Sequence, residues 1–183
     1  MIVFLTEEES MRATLERIIS RFWPDKVVGV DWIALSFQGK TDLEKNIIPK
    51  MRGWNFGVPH FVILRDQDGG DCVILKTKLS EIAAQGGHRF TVRVVCNELE
   101  SWLLGELDAV EAAYPASRAG RYRNTARFRN PDVLGSASDE LSRLIDVTGK
   151  VGRAGAIASF FDPVRCTSRS FQVFWRTVKA LLD

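Results

Sequence analysis

Four short apolar runs punctuate the first hundred residues: Ile2–Leu5, Val27–Phe37, Val58–Arg65 and Phe90–Cys96. Each is strand length, and three are rich in Val, Ile or Trp. Between them the apolar positions switch to helical spacing. Met11, Leu15, Ile18, Ile19 and Phe22 share one face and end at Pro24-Asp25. Asp42 to Trp54 reads as a second helix, weakened at Pro49. Leu75, Leu79 and Ile82 mark a third, starting at Asp71 or Cys72 and stopping before Gly86-Gly87. Thr6 and Glu9 have capping-box spacing at the first helix. Strands alternating with helices predict right-handed βαβ units, hence an α/β fold with a small, mostly parallel sheet of about four strands, flanked by helices.

After Tyr114-Pro115 the pattern changes. Residues 116–138 are rich in Arg, Ser, Asn, Gly and Ala and read as a long loop or linker. Asp139 to Val151 reads as a helix with acids in its first turn. Ser170 to Leu182 carries Phe171, Phe174, Trp175, Val178, Leu181 and Leu182 at helical spacing, a stripe suited to core packing or to a partner. The predicted organisation is an α/β domain over residues 1–115, an Arg-rich loop over 116–138 and a helical C-terminal extension over 139–183 packing on the same domain.

The size, 183 residues with 45% hydrophobic content, is enough for a substantial core. No apolar run is long enough to cross a membrane, and the amino terminus turns acidic without a basic region, so no signal peptide is expected. Three scattered cysteines argue against a disulfide framework and for a reducing cytoplasm. Net charge is +2 but uneven. Residues 1–117 hold 13 Lys/Arg against 17 Asp/Glu, whereas residues 118–183 hold 12 against 6. A polyanionic partner for the basic part, or docking of a basic on an acidic lobe, would each explain this.

The acids show the clearest pattern. Glu7, Glu8 and Glu9 follow the first strand; Asp66 and Asp68 follow the third; Glu98 and Glu100 follow the fourth. In a parallel sheet these ends share one edge, the edge where open α/β sheets bind ligands. Clustered carboxylates raise one another's pKa unless a cation lies among them, and Mg²⁺ or Mn²⁺ takes oxygen ligands of this kind. Singly, each cluster also has a structural reading, as helix-start acids or turn chemistry around Asp68-Gly69-Gly70-Asp71. His60 and His88 precede their strands, at the opposite edge, which removes them as bases. Cys72 in an anionic setting is a poor nucleophile. No phosphate-binding glycine loop and no EF-hand spacing occurs.

A strand ending in glutamate followed by a later strand ending in D-x-D resembles the Toprim domain of primases, topoisomerases and the nucleases of the overcoming-lysogenization-defect class. Thr6–Ser10, Arg65–Cys72 and Asn97–Glu106, with a looser likeness from Lys150 through Phe171, resemble an uncharacterised bacterial Toprim-like family. Members are often encoded beside AAA- or ABC-type ATPases in apparent phage-defence pairs. The resemblance implies that Glu7 is the Toprim acid/base or metal ligand, that Asp66 and Asp68 hold Mg²⁺ (or Mn²⁺), and that Glu98 and Glu100 complete the ligand set. Glu8 departs from the pattern, which has glycine there.

Arg118, Arg121, Arg123, Arg127 and Arg129 fall within twelve residues, with Tyr122 and Phe128 among them, and no acid lies between Glu111 and Asp132. Arginines interleaved with aromatics suit phosphate tracking and base stacking; a solvated loop, or an arm folded over the acids, is the other reading. The expectation is a metal-dependent phosphodiesterase acting on nucleic acid. The alternative is a non-catalytic module that binds a partner ATPase or nucleic acid through the C-terminal helices or the basic arm.

Overall fold

The structure, a computed structural model, describes residues 1–183. Its centre is a four-stranded sheet made of β1 (Ile2–Thr6), β2 (Trp32–Ser36), β3 (His60–Asp66) and β4 (Arg89–Val95). The order is β2-β1-β3-β4, and every pairing is parallel. β1 and β3 are central, which is why their runs are apolar on both faces: all of β1 and Phe61 to Asp66 of β3 are buried.

Side chains alternate between the two faces. Val3, Leu5, Phe61, Ile63 and Val92 pack under α2 (Lys40–Arg52) and α3 (Cys72–Ala84). Phe4, Val62, Leu64, Trp32 and Val95 face the larger layer. That layer holds α1 (Glu9–Phe22), α4 (Leu99–Leu104), α5 (Leu107–Ala113), α6 (Ala137–Leu144), α7 (Lys150–Ala158) and α8 (Arg169–Leu182). Strand-to-helix connections on both sides produce the doubly covered parallel sheet that the alternating pattern predicts.

Several expectations are corrected. The second strand starts at Trp32 rather than Val27, because Val27–Asp31 closes a turn: Asp31 accepts from the Val27 N–H, and Gly29 takes φ +83°. Thr6 and Glu9 do not form a capping box. Glu8 stands at the helix start, Thr6 Oγ1 donates to the carbonyls of Glu8 and Leu35, and Glu9 turns to Arg12 and Ser36. Asp71, by contrast, caps α3, accepting from the N–H groups of Val73 and Ile74.

Asp139–Val151 is not one helix. The chain leaves α6 at Ile145, passes through Val147-Thr148, and restarts after Gly149 at φ +93°. Residues 116–138 are not a free linker either. They fold into short 3₁₀ turns with Ala119 and Phe128 in the main core. The α8 stripe is core: Phe171, Phe174, Trp175 and Val178 are buried against Phe4, Trp102 and Phe161, which removes it as a partner-binding face.

Candidate functional site

The carboxyl ends of β1, β3 and β4 lie side by side, and their loops are stitched together. The Gln67 N–H donates to the Val95 carbonyl (2.9 Å) and the Asp68 N–H to the Asn97 carbonyl (3.1 Å). Asn97 Nδ2 then donates to the carbonyls of Asp132 and Leu134, fixing the 131–135 turn over the same edge. Asp68 (φ 52°) and Asn97 (φ 58°) both adopt left-handed backbone here, a conformation that Asp and Asn tolerate best among residues with a Cβ.

Three of the expected acids are brought together and buried: Glu7 is 5% exposed, Asp66 3% and Glu100 1%. Glu7 Oε2 accepts from the Asp66 backbone N–H at 3.1 Å. Arg65 approaches the same oxygen at 3.8 Å while pairing with Glu44 at 3.0 Å. Asp66 Oδ1 and Glu100 Oε2 are sealed from water and have no hydrogen-bond partner. Burial pushes the Asp66 carboxyl well above its ordinary value of 3.8, and the Glu7 charge adds to this. Burial likewise raises Glu7, opposed by the Asp66 N–H, and raises Glu100, opposed by Lys150.

The other two acids stand apart. Asp68 lies on the rim, its side chain 38% exposed, and pairs with Lys40 at 3.2 Å. Glu98 accepts from the Ser138 N–H at 3.0 Å, so its carboxylate serves the first turn of α6. No three His, Cys, Asp or Glu side chains are arranged to hold a metal ion as they stand. The donor chemistry nevertheless fits a hard divalent cation: the groups are all carboxylates, and two of their buried oxygens lack partners.

Lys150 is a neighbour of these acids that sequence patterning does not pick out. It opens α7, pairs with Glu8 at 2.6 Å and sits within electrostatic reach of Asp66 and Glu100. Burial alone would lower its pKa; the Glu8 hydrogen bond and the Glu100 and Asp66 charges outweigh that and raise it. One turn along, Arg153 reaches Glu100 at 3.4 Å and Ser142 at 3.0 Å. The i, i+3 spacing of these two cations was visible, but only the docking of α7 on α1 aims them at the acids. Glu8 is what holds the Lys150 ammonium. Glu7, Asp66 and Glu100 are themselves almost wholly buried.

The basic segment does not fold over this crevice. Arg123 pairs with Asp108 and Arg127 with Glu140. Arg121 lies over the Tyr122 ring at 4.6 Å. Arg118, Arg121 and Arg129 are exposed and have no carboxylate partner. Phe128 is 5% exposed and packs on Tyr122, so it is core and not a base-stacking platform.

The raised carboxyls give a pH prediction for the metal-free protein. A folded-state pKa above the unfolded value means the folded chain binds more protons between the two. Stability therefore falls as pH rises from the ordinary carboxyl value through the raised folded one. Asp66→Asn removes the largest such group. In chelator at pH 7.5 it is expected to gain roughly 1–3 kcal/mol, because the amide carries no charge to be stripped of water. That is roughly 2–10 °C in melting temperature for a chain of this size. The gain should shrink at pH 5, and thermal melts at the two values check it.

Comparison with known proteins adds one fold and one family. The chain shares its fold with the C-terminal region of the Burkholderia pseudomallei OLD protein (TM-score 0.60, 15% identity), covering 100% of this chain and 98% of that one. At that identity the likeness establishes the fold. No curated protein matches the sequence. Residues 6–179 match a family described as a domain of unknown function, DUF4276. That match takes in the last residue of β1, all of β2, β3 and β4, the three acidic stretches and all but the end of α8, and the chain belongs to the DUF4276 family.

Proposed function

We propose that this chain is a Mg²⁺- or Mn²⁺-dependent phosphodiesterase of Toprim type that cleaves nucleic acid, working in phage defence beside a partner ATPase. The observation that carries the reading is the Asp66 carboxylate. It is buried at the carboxyl end of a central parallel strand, between Glu7 and Glu100, with an oxygen that nothing in the protein satisfies. A protein maintains such a group at a cost, and ligand or metal binding is a common reason.

Glu7, Asp66 and Glu100 would hold the ion, with Asp68 entering from the rim; Glu98 would support the set by fixing α6. A bound ion of this kind neutralises charge on a phosphoryl oxygen and makes water a better nucleophile. Lys150, within electrostatic reach of Asp66 and Glu100, would offer a positive charge to the same phosphate. Arg118, Arg121 and Arg129 offer phosphate contacts on the surface, and Arg127 anchors their loop to α6. The experiment is incubation with single- and double-stranded DNA and with RNA, in Mn²⁺, in Mg²⁺ and in chelator. Cleavage that requires metal is expected. Substrates left intact under all conditions, with and without the partner ATPase, would contradict the proposal.

A second reading rests on a different observation. Lys150 and Arg153 already supply positive charge beside the buried acids, and no three carboxylates are preassembled as a cage. A chain that had given up catalysis would keep the fold in this self-neutralised form and act as an interaction module for an ATPase or nucleic acid. It predicts full stability in chelator, no metal-induced rise in melting temperature and intact substrates.

A further inference from the structure

β4 is an edge strand, and its outer side is open. In a parallel ladder, the N–H and C=O of one residue point to one side and those of the next residue to the other. The Val95 carbonyl accepts from Gln67 on the β3 side, so the odd-numbered residues of β4 face β3. Phe90, Val92 and Val94 therefore turn their backbone groups outward. Two outward groups at this edge are occupied from within the protein: Arg93 donates to the Val92 carbonyl at 3.0 Å, and the Cys96 N–H donates to Ser170 Oγ at 3.3 Å. The N–H and C=O of Phe90 and Val94 and the N–H of Val92 make no such bond.

This edge forms the floor of a groove of about 400 Å³ between α3 and α8. Val73 and Val173 contribute apolar lining beside Val92 and Val94. The surroundings are cationic. Lys76, Arg93 and Arg169 line the groove without carboxylate partners, and Arg176 stands near Arg93. The one acid in the lining, Asp132, is spent on Ser168 Oγ at 2.6 Å and the Ser170 N–H at 2.7 Å. A long apolar edge would invite indiscriminate pairing; basic residues along it select against basic strands and leave acidic ones favoured.

We propose that the β4 edge is a docking site for an extended acidic segment of a partner protein, which adds a fifth strand to the sheet. The open backbone groups of Phe90, Val92 and Val94 pair with the incoming main chain. Alternate apolar side chains enter the groove between α3 and α8, and intervening carboxylates meet Lys76, Arg93 and Arg169. Strand addition of this kind takes affinity from main-chain bonds and specificity from alternate side chains. The site is independent of the acidic crevice, which lies at the carboxyl ends of the strands.

The probe is a fluorescent peptide of alternating Val and Glu, with a Val/Lys peptide as its counterpart. Anisotropy should show the acidic peptide binding at least about tenfold more tightly, a difference of about 1.4 kcal/mol. Binding should slow alkylation of Cys72 and Cys96, which line the groove, and slow amide exchange at Val94. Val94→Pro deletes an outward N–H without touching the ladder to β3, as an edge strand permits. It should weaken the acidic peptide at least about tenfold while the chain stays folded, Val94 being only partly packed on the core. The Lys76→Glu, Arg93→Glu pair should reverse the preference between the peptides, a readout that stands if Val94→Pro misfolds. Absence of binding at millimolar peptide, equal binding of both peptides, self-association of the chain through β4, or displacement of the peptide by duplex DNA would each overturn the proposal.

Discussion

Replacing Asp66 with alanine will abolish metal-dependent cleavage. Loss of a residue that only supports a metal ligand commonly costs 10–100-fold in affinity or activity, so loss of a ligand should cost more than about 100-fold. Asp66 is the one acid that touches every part of the arrangement. Its N–H holds Glu7, its carboxylate lies in the field of Glu7, Glu8, Glu100 and Lys150, and its neighbour Arg65 crosses to Glu44. Asp66→Ala removes an unpartnered buried group, so the variant should melt no lower than a small cavity in the sheet would require. An inactive but folded Asp66→Ala therefore separates loss of chemistry from loss of structure. A variant that is folded and still cleaves would remove Asp66 from the site.

The second large effect concerns the core that fixes the site. Trp102 is 1% exposed on α4, the helix that carries Glu100. It stacks on Phe174 at 4.9 Å, meets Phe171 edge-on at 5.2 Å and donates from Nε1 to Ser170 Oγ at 2.8 Å. Trp102→Ala leaves a cavity at the junction of α4 and α8 and removes one of the hydrogen bonds at Ser170 Oγ, which keeps those to Cys96 and Asp132. The expected loss is roughly 3–5 kcal/mol, measured by denaturant melts. Because α8 also contacts β4 through Thr177 and Arg93, the same substitution should loosen the strand edge. Trp102→Phe keeps most of the volume and should recover more than half of the loss, leaving chiefly the missing hydrogen bond, worth about 1 kcal/mol.

The parallel sheet was legible because its central strands are buried on both faces, which leaves unbroken apolar runs in β1 and β3. Once the strands alternate with helices, topology places Glu7, Asp66 and the residues after β4 on one edge, so the acidic convergence could be anticipated without any contact being known. What could not be read were partners set by distant packing. The carboxylate of Glu98 caps α6 through Ser138, forty residues away, and Glu9 leaves its own helix start for Ser36. α7 was hidden for a different reason. Its sequence, Lys-Val-Gly-Arg-Ala-Gly-Ala-Ile-Ala, has too little bulk to show a helical stripe, yet the same small residues let it lie close against α1, where a Cβ on Gly155 would touch that of Ala13 at 4.0 Å. Lys150 enters the crevice only because of that close approach. The Arg-rich segment misled in the opposite sense, since its composition reads as solvated loop while Ala119 and Phe128 tie it into the core.

The measurement that goes most directly to the account is a Mn²⁺ titration followed by calorimetry, on the parent chain and on Asp66→Ala, in the absence of nucleic acid. The account predicts saturable binding to the parent, a rise in its melting temperature with metal, and at least about a tenfold weaker affinity in Asp66→Ala. Equal affinity in the two proteins, or no binding to either, would contradict it and leave the buried acids neutralised by Lys150 and Arg153 alone.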